Sequence, residues 1–284
     1  MKKCIFVAMV TLLVSCSGQQ LTDGVADVKN AKPVQASDDK AKIDALVEKA
    51  RWGDGQAFLQ LADCYRDGIG VKKDLLGMIY MVAQANALGA INSEKDYFSQ
   101  LPDDNVYKQC YNLMDRSSNE LRDGKDSIQT KLNAMDNPDA LAICGIVSVE
   151  CGDTIGGFEA FRKAADNGSD IASILSTMSN SDGKLRPDKN KLEQLVDRTP
   201  VAYKMLGRIY RNLEDNDNNK RLAAHYYLEA EKHALLSRHE IMWLLSYHKN
   251  GGDIQLSDED LRRLNAYSRV PGDGREIVID INNQ

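Results

Sequence analysis

Between residues 57 and 89 apolar side chains recur at the three- and four-residue intervals of an α-helix, with Ala57, Leu61, Ala62 and Tyr65 on one stripe. Gly68 and Gly70 interrupt the pattern in "CYRDGIGVKKD". Asp74 then offers an N-cap side chain, and a second helix runs to Gly89, suited to the position just past a helix end. The pattern returns. Residue 202 laid on residue 57 aligns Ala202 with Ala57, Leu206-Gly207 with Leu61-Ala62 and Tyr210 with Tyr65; Ala223, Tyr226-Tyr227 and Ala230 follow on the second helix. A third copy begins at Ala140 and carries Gly145, Phe161, Ala164-Ala165 and Gly168, with its bend shortened to "ECGDTIGG". Fainter copies start at Ala172, with Gly183 at the bend, and at Glu240, with Gly251 at the bend and a capping-box pair at Ser257 and Asp260. Residues 105–135 show only apolar spacing at Val106, Cys110, Tyr111 and Leu113, and read as a diverged helical pair. A single helical pair cannot bury its own apolar face, so the pairs must stack. The expectation is an all-α solenoid over 41–270, with units near 57–89, 140–168, 172–200, 202–234 and 240–269.

Both ends depart from this pattern. "MKKCIFVAMVTLLVSC" places Lys2-Lys3 before an apolar run from Ile5 to Val14, too short for a bilayer core of about 20 residues. It has the form of an export signal over 1–15. Residues 16–40 are polar and carry Pro33, as a flexible tether does. In the tail, 271–284, Ile277, Ile279 and Ile281 alternate with Val278 and Asp280, a strand-like pattern. A short extended tail of this kind would cover the last helical pair or add a strand to a partner's sheet edge.

Two resemblances follow from these residues. Leu13-Val14-Ser15-Cys16 resembles the lipobox of bacterial lipoproteins, which implies cleavage before Cys16 and acylation of its thiol. Ser17 after it is compatible with outer-membrane sorting. The Ala, Leu-Gly, Tyr, Gly-x-Gly-Val and Asp positions of 57–89 resemble the Sel1-like repeat, a relative of the tetratricopeptide repeat. Here Leu61-Ala62 stands for Leu-Gly, and Ala85-Asn86 for Ala-Ala. That resemblance implies a right-handed α-solenoid and a role as an adaptor in protein complexes.

Composition narrows the chemistry. The 284 residues include only 6 Pro and 6% aromatics, a balance that favours helices. The net charge is −6, and loss of Lys2 and Lys3 with the signal takes it to −8. No basic run after the signal exceeds two residues (Lys72-Lys73, Arg262-Arg263), so nucleic acid is not an expected partner. Of 6 cysteines, Cys64, Cys110, Cys144 and Cys151 remain once Cys4 leaves and Cys16 takes the lipid. Cys64 falls on an apolar helix position. Cys144 and Cys151 lie about 10.5 Å apart if one helix carries both, so a bridge between them needs an intervening turn.

A search for catalytic groups finds none. "GIGVKKD" follows a helix rather than a strand, and its next helix opens on an acidic residue, so it reads as a bend with Ile69 and Val71 plugging the space between helices. His225, His233, His239 and His248 have no helical ligand spacing, and "HEIMW" has Trp243 where a zinc motif needs its second histidine. They read as solvated helix positions. No cofactor, metal or enzymatic activity is expected. The expected function is a lipid-anchored envelope scaffold, binding a protein partner through Gln60, Asp63, Arg66, Lys204 and Arg208 on the first helices of the pairs. The alternative is an envelope enzyme or a binder of small ligands such as peptidoglycan fragments.

Overall fold

The helix predicted to open at Ala57 is capped one turn earlier by Asp54, whose carboxylate accepts from the Gln56 and Ala57 amides. It ends where expected, at Gly68, whose φ of 75° is easy only for glycine. The computed structural model describes residues 37–269 apart from 182–183 and 214–215. The signal, Cys16, most of the tether and the tail lie outside the described residues. The described chain is mainly helical, and no helix in it is long and apolar enough to cross a membrane.

It divides into two compact units, one formed by residues 93–188 and one by 37–92 together with 189–269. The second unit opens with α1 (Ser37–Arg51), α2 (Gly55–Asp67) and α3 (Leu75–Ala87). Gly70, in the bend between α2 and α3, lies against α1: a Cβ there would sit 2.6 Å from the Asp39 carbonyl oxygen and 2.8 Å from Ile43. Ile69 is 37% exposed, so it is not the buried plug the sequence suggested. Gly70 makes the close contact instead. Asp74 caps α3 through the Leu76 and Gly77 amides and also accepts from the buried Thr199 hydroxyl at 2.7 Å.

The same unit continues with α11 (Lys189–Glu193), α12 (Val201–Asn212), α13 (Asp217–Glu231), α14 (Arg238–Lys249) and α15 (Asp258–Arg269), and α2/α3, α12/α13 and α14/α15 pack as adjacent pairs. In a linear array each pair meets only its sequence neighbours. Here the first pair meets the late ones directly: Gln84 donates to the Leu236 carbonyl at 2.7 Å, and Phe58 sets its ring edge-on to Tyr267. Arg51 grips Glu231 with two parallel hydrogen bonds of 2.9 and 2.8 Å, and Arg263 adds a third at 3.2 Å.

The unit of residues 93–188 begins with the short helices α4 (Glu94–Ser99), α5 (Val106–Met114), α6 (Ser118–Asp123) and α7 (Lys125–Asn133), where one diverged pair was expected. The pair α8 (Pro138–Glu150) and α9 (Thr154–Asp166) follows, with the shortened bend at Gly152, φ 90°. Cys144 sits within α8 and Cys151 is its C-cap, so no turn separates them and both thiols are free. After α10 (Asp170–Leu175) the chain departs from expectation. Residues 172–200 do not form a helical pair: β1 (Met178–Ser181) and β2 (Lys184–Pro187) make an antiparallel hairpin, in register from Met178–Pro187 to Ser181–Lys184. Asp182-Gly183, the two-residue link, lies outside the described residues, but Asp-Gly between short segments is a hairpin signal that outweighs the weak helical register.

A shared contact holds the pairs α8/α9 and α12/α13 in the same register. Gly207 on α12 and Gly145 on α8 occupy the Ala62 position, and each faces a ring on the second helix of its pair. A Cβ on Gly207 would lie 2.4 Å from Tyr227, and one on Gly145 would lie 2.6 Å from Phe161. In the first copy Val82 stands at the register position of Tyr227 and is buried, and the close approach is reversed: a Cβ on Gly77 of α3 would lie 3.0 Å from the Tyr65 ring of α2. Gly207→Ala and Gly145→Ala should each destabilise the protein by about 1–3 kcal/mol through overpacking. Urea unfolding checks this, and midpoints unchanged from wild type would remove this account of the register.

Candidate functional site

Five sequence-nominated residues were expected on an exposed face, and the structure separates them. Gln60 is exposed. Asp63 and Arg66 are half-buried and pair with each other at 2.6 Å, Arg66 also holding Asp67 at 2.6 Å. Lys204 and Arg208 are not surface contacts. The Lys204 side chain is 2% exposed, and its ammonium donates to the Leu235 carbonyl at 2.8 Å, lies 3.3 Å from a Glu240 oxygen and sits 4.4 Å above the Tyr80 ring. Arg208 donates from Nε to the other Glu240 oxygen.

Glu240 organises this centre. It is the third residue of α14, and Ala57, Ala140 and Ala172 are the third residues of α2, α8 and α10, all buried. A glutamate at that point of the repeat would be buried without a partner. Here Ser237 donates to it from its amide at 2.7 Å and its hydroxyl at 2.8 Å, a capping box, while the two cations arrive from α12 one turn apart. Lys204 and Arg208 correspond in register to Leu59 and Asp63 of the first copy. Glu240 was legible only as the start of a repeat; the missed signal was its charge at an alanine position.

Burial alone would push the Glu240 carboxyl up, but Arg208, Lys204 and the Ser237 hydrogen bonds outweigh it and hold its pKa down at about 2. For Lys204 the balance is opposite: burial lowers its pKa to about 8, because one carboxylate must offset full desolvation and the neighbouring Arg208 charge. Burial likewise pushes the Tyr80 phenol up to about 12.

A second group lies on another side of α12. Tyr210 and Tyr226 stack with ring centres 5.5 Å apart, and both hydroxyls donate to one oxygen of Glu193 at 3.0 and 3.1 Å. Tyr203 stacks on His233, and Lys189 stands 5.3 Å from the Tyr210 ring centre. Tyr203, Tyr226, His233 and Glu193 are half-buried, so this row meets solvent along one edge. His225 and His239 are exposed as expected, whereas His233 and His248 are half-buried, and burial lowers the His233 pKa. Tyr226 was visible as a repeat position; Tyr203 and Glu193 carried no sequence signal. No known protein family, curated protein or solved structure matches the chain.

Glu240→Gln keeps the capping geometry but leaves two buried cations without a counter-charge, and should cost about 3–5 kcal/mol. The Glu240 contribution, from a depressed carboxyl pKa, is full above the unfolded value of about 4.3 and is lost as pH falls toward 2. Urea unfolding of wild type and variant between pH 2.5 and 6 should show a gap that closes on acidification. A gap constant with pH would mean the carboxylate charge is not what stabilises the centre.

Proposed function

We propose that the chain is a lipid-anchored scaffold of the bacterial envelope, most readily placed at the outer membrane, whose right-handed array of Sel1-like helical pairs binds a protein partner. The observation that carries this reading is the half-exposed tyrosine row on α12 and α13, flanked by Lys189 and Glu193. Rigid tyrosines beside charged groups are the composition of protein interfaces, because they offer large contact area with few rotatable bonds. The adjacent packing of helical pairs supports the same reading, since such pairs present continuous helix faces. Tyr203 and Tyr226 therefore take the place of Lys204 and Arg208 as contact candidates, and Gln60 remains one. The lipobox-like Leu13-Val14-Ser15-Cys16 supports the anchor: several acyl chains on one residue exceed the single-chain limit of marginal membrane binding.

Two measurements test the two halves of this reading. Cys16→Ser should abolish incorporation of labelled fatty acid and release the protein from the membrane fraction; continued membrane association would sink the lipid anchor. Photo-crosslinking amino acids at Tyr203 and Gln60 in intact cells should capture one recurrent protein. Recovery of only this chain, across several growth conditions, would count against the adaptor role.

A further inference from the structure

The Glu240 centre does not balance its charge. Two cations, Lys204 and Arg208, face one carboxylate, all within a buried layer between α12, α14 and the Tyr80 side of α3. Nη1 of Arg208 and the hydroxyl of Tyr80, a residue 4% exposed, are buried there with no partner among the described residues, and the nearby Tyr227 hydroxyl is a third such donor. Arg208 and Tyr80 flank the same ion pair, Arg208 holding one Glu240 oxygen while the Tyr80 ring lies 4.4 Å from the Lys204 ammonium that faces the other. A buried donor left unpaired is destabilising, and an uncompensated buried cation is more so. The centre is not sealed, because the Arg208 side chain remains 21% exposed.

We infer that this centre is a binding site for one monovalent anion, a carboxylate or a halide, accepted by Arg208 Nη1 and the Tyr80 hydroxyl. Net charge selects the class of anion. One negative charge beside Glu240 neutralises the pair of cations, whereas a phosphate dianion would leave an excess of negative charge in the same buried layer. The unpartnered groups point the same way, since a guanidinium has no acceptor atom and the Tyr80 hydroxyl has a proton to give. The assignment goes beyond the scaffold reading and stands without it.

Thermal unfolding of the full chain at pH 7, titrated with sodium chloride or sodium acetate at constant ionic strength, tests the site. Wild type should show a saturable rise in Tm with at least one anion, as binding to the folded state requires. Saturation by acetate alone assigns a carboxylate, and saturation by chloride assigns a halide. Tyr80→Phe, which keeps the ring under Lys204, should move the midpoint of the rise about tenfold higher in anion, the loss expected for one hydrogen bond to a charged acceptor. Arg208→Lys, which keeps the charge without Nη1, should do the same. Should either variant unfold, a crystal of the wild type soaked in bromide gives the second readout, with an anomalous peak beside Arg208 Nη1 supporting the site. A rise that is absent, never saturates, or is identical in wild type and Tyr80→Phe overturns it.

Discussion

A carboxylate taken out of water stays ionised only where cations and donors replace its hydration, and the unit built from residues 37–92 and 189–269 meets that demand twice. Glu231 is clasped by Arg51 from α1 and Arg263 from α15, so the first and last helices of the unit close on one carboxylate from α13. Glu240 is met by Lys204 and Arg208, and Lys204 in turn rests on Tyr80 of α3. Glu231 thus links segments 180 residues apart directly, and Glu240 reaches α3 through Lys204. Apolar burial around Phe58, Leu61, Met78, Leu206 and Tyr227 supplies the larger driving force, but it does not by itself say which face meets which.

The same helix carries the buried centre and the half-exposed row, and helical geometry makes one a condition of the other. Successive residues turn by about 100° around the axis. Fixing Lys204 inward on Glu240 therefore turns Tyr203 to the side, and Tyr210, two turns on, falls on the same side as Tyr203. Glu193 of α11 then holds Tyr210 and Tyr226 by their hydroxyls. The rings are set by hydrogen bonds and stacking within the chain itself, an order that would lower the entropy lost in any association through this row.

Local signals in the sequence survived into the structure, and global ones did so less well. The bends at Gly68 and Gly152, the cap at Asp74 and the capping box at Ser257 were legible because each depends on a few adjacent residues whose backbone preferences are strong. The hairpin of 178–181 and 184–187 was missed because the helical register at Ala172 was followed past its last support, across the residue pair Asp182-Gly183 whose sequence signals a hairpin. The stacking of 57–89 on the late helices was not legible, since a repeat pattern records that pairs stack but not which ones. Lys204 and Arg208 read as surface residues because charged side chains usually are. Only the charge of Glu240 at an alanine position pointed inward.

That substitution is also what separates this unit from an interchangeable stack of helical pairs. An apolar face built of Ala, Leu and Tyr can pack against any other copy of itself, and a chain with several such copies has several registers of comparable burial available. Placing Lys204 opposite any pair that offers alanine where α14 offers Glu240 would bury a cation with nothing to meet it. The cost of the wrong arrangement then exceeds the gain of the right one, which is how a polar group inside a core selects between packings that apolar contacts leave nearly equal.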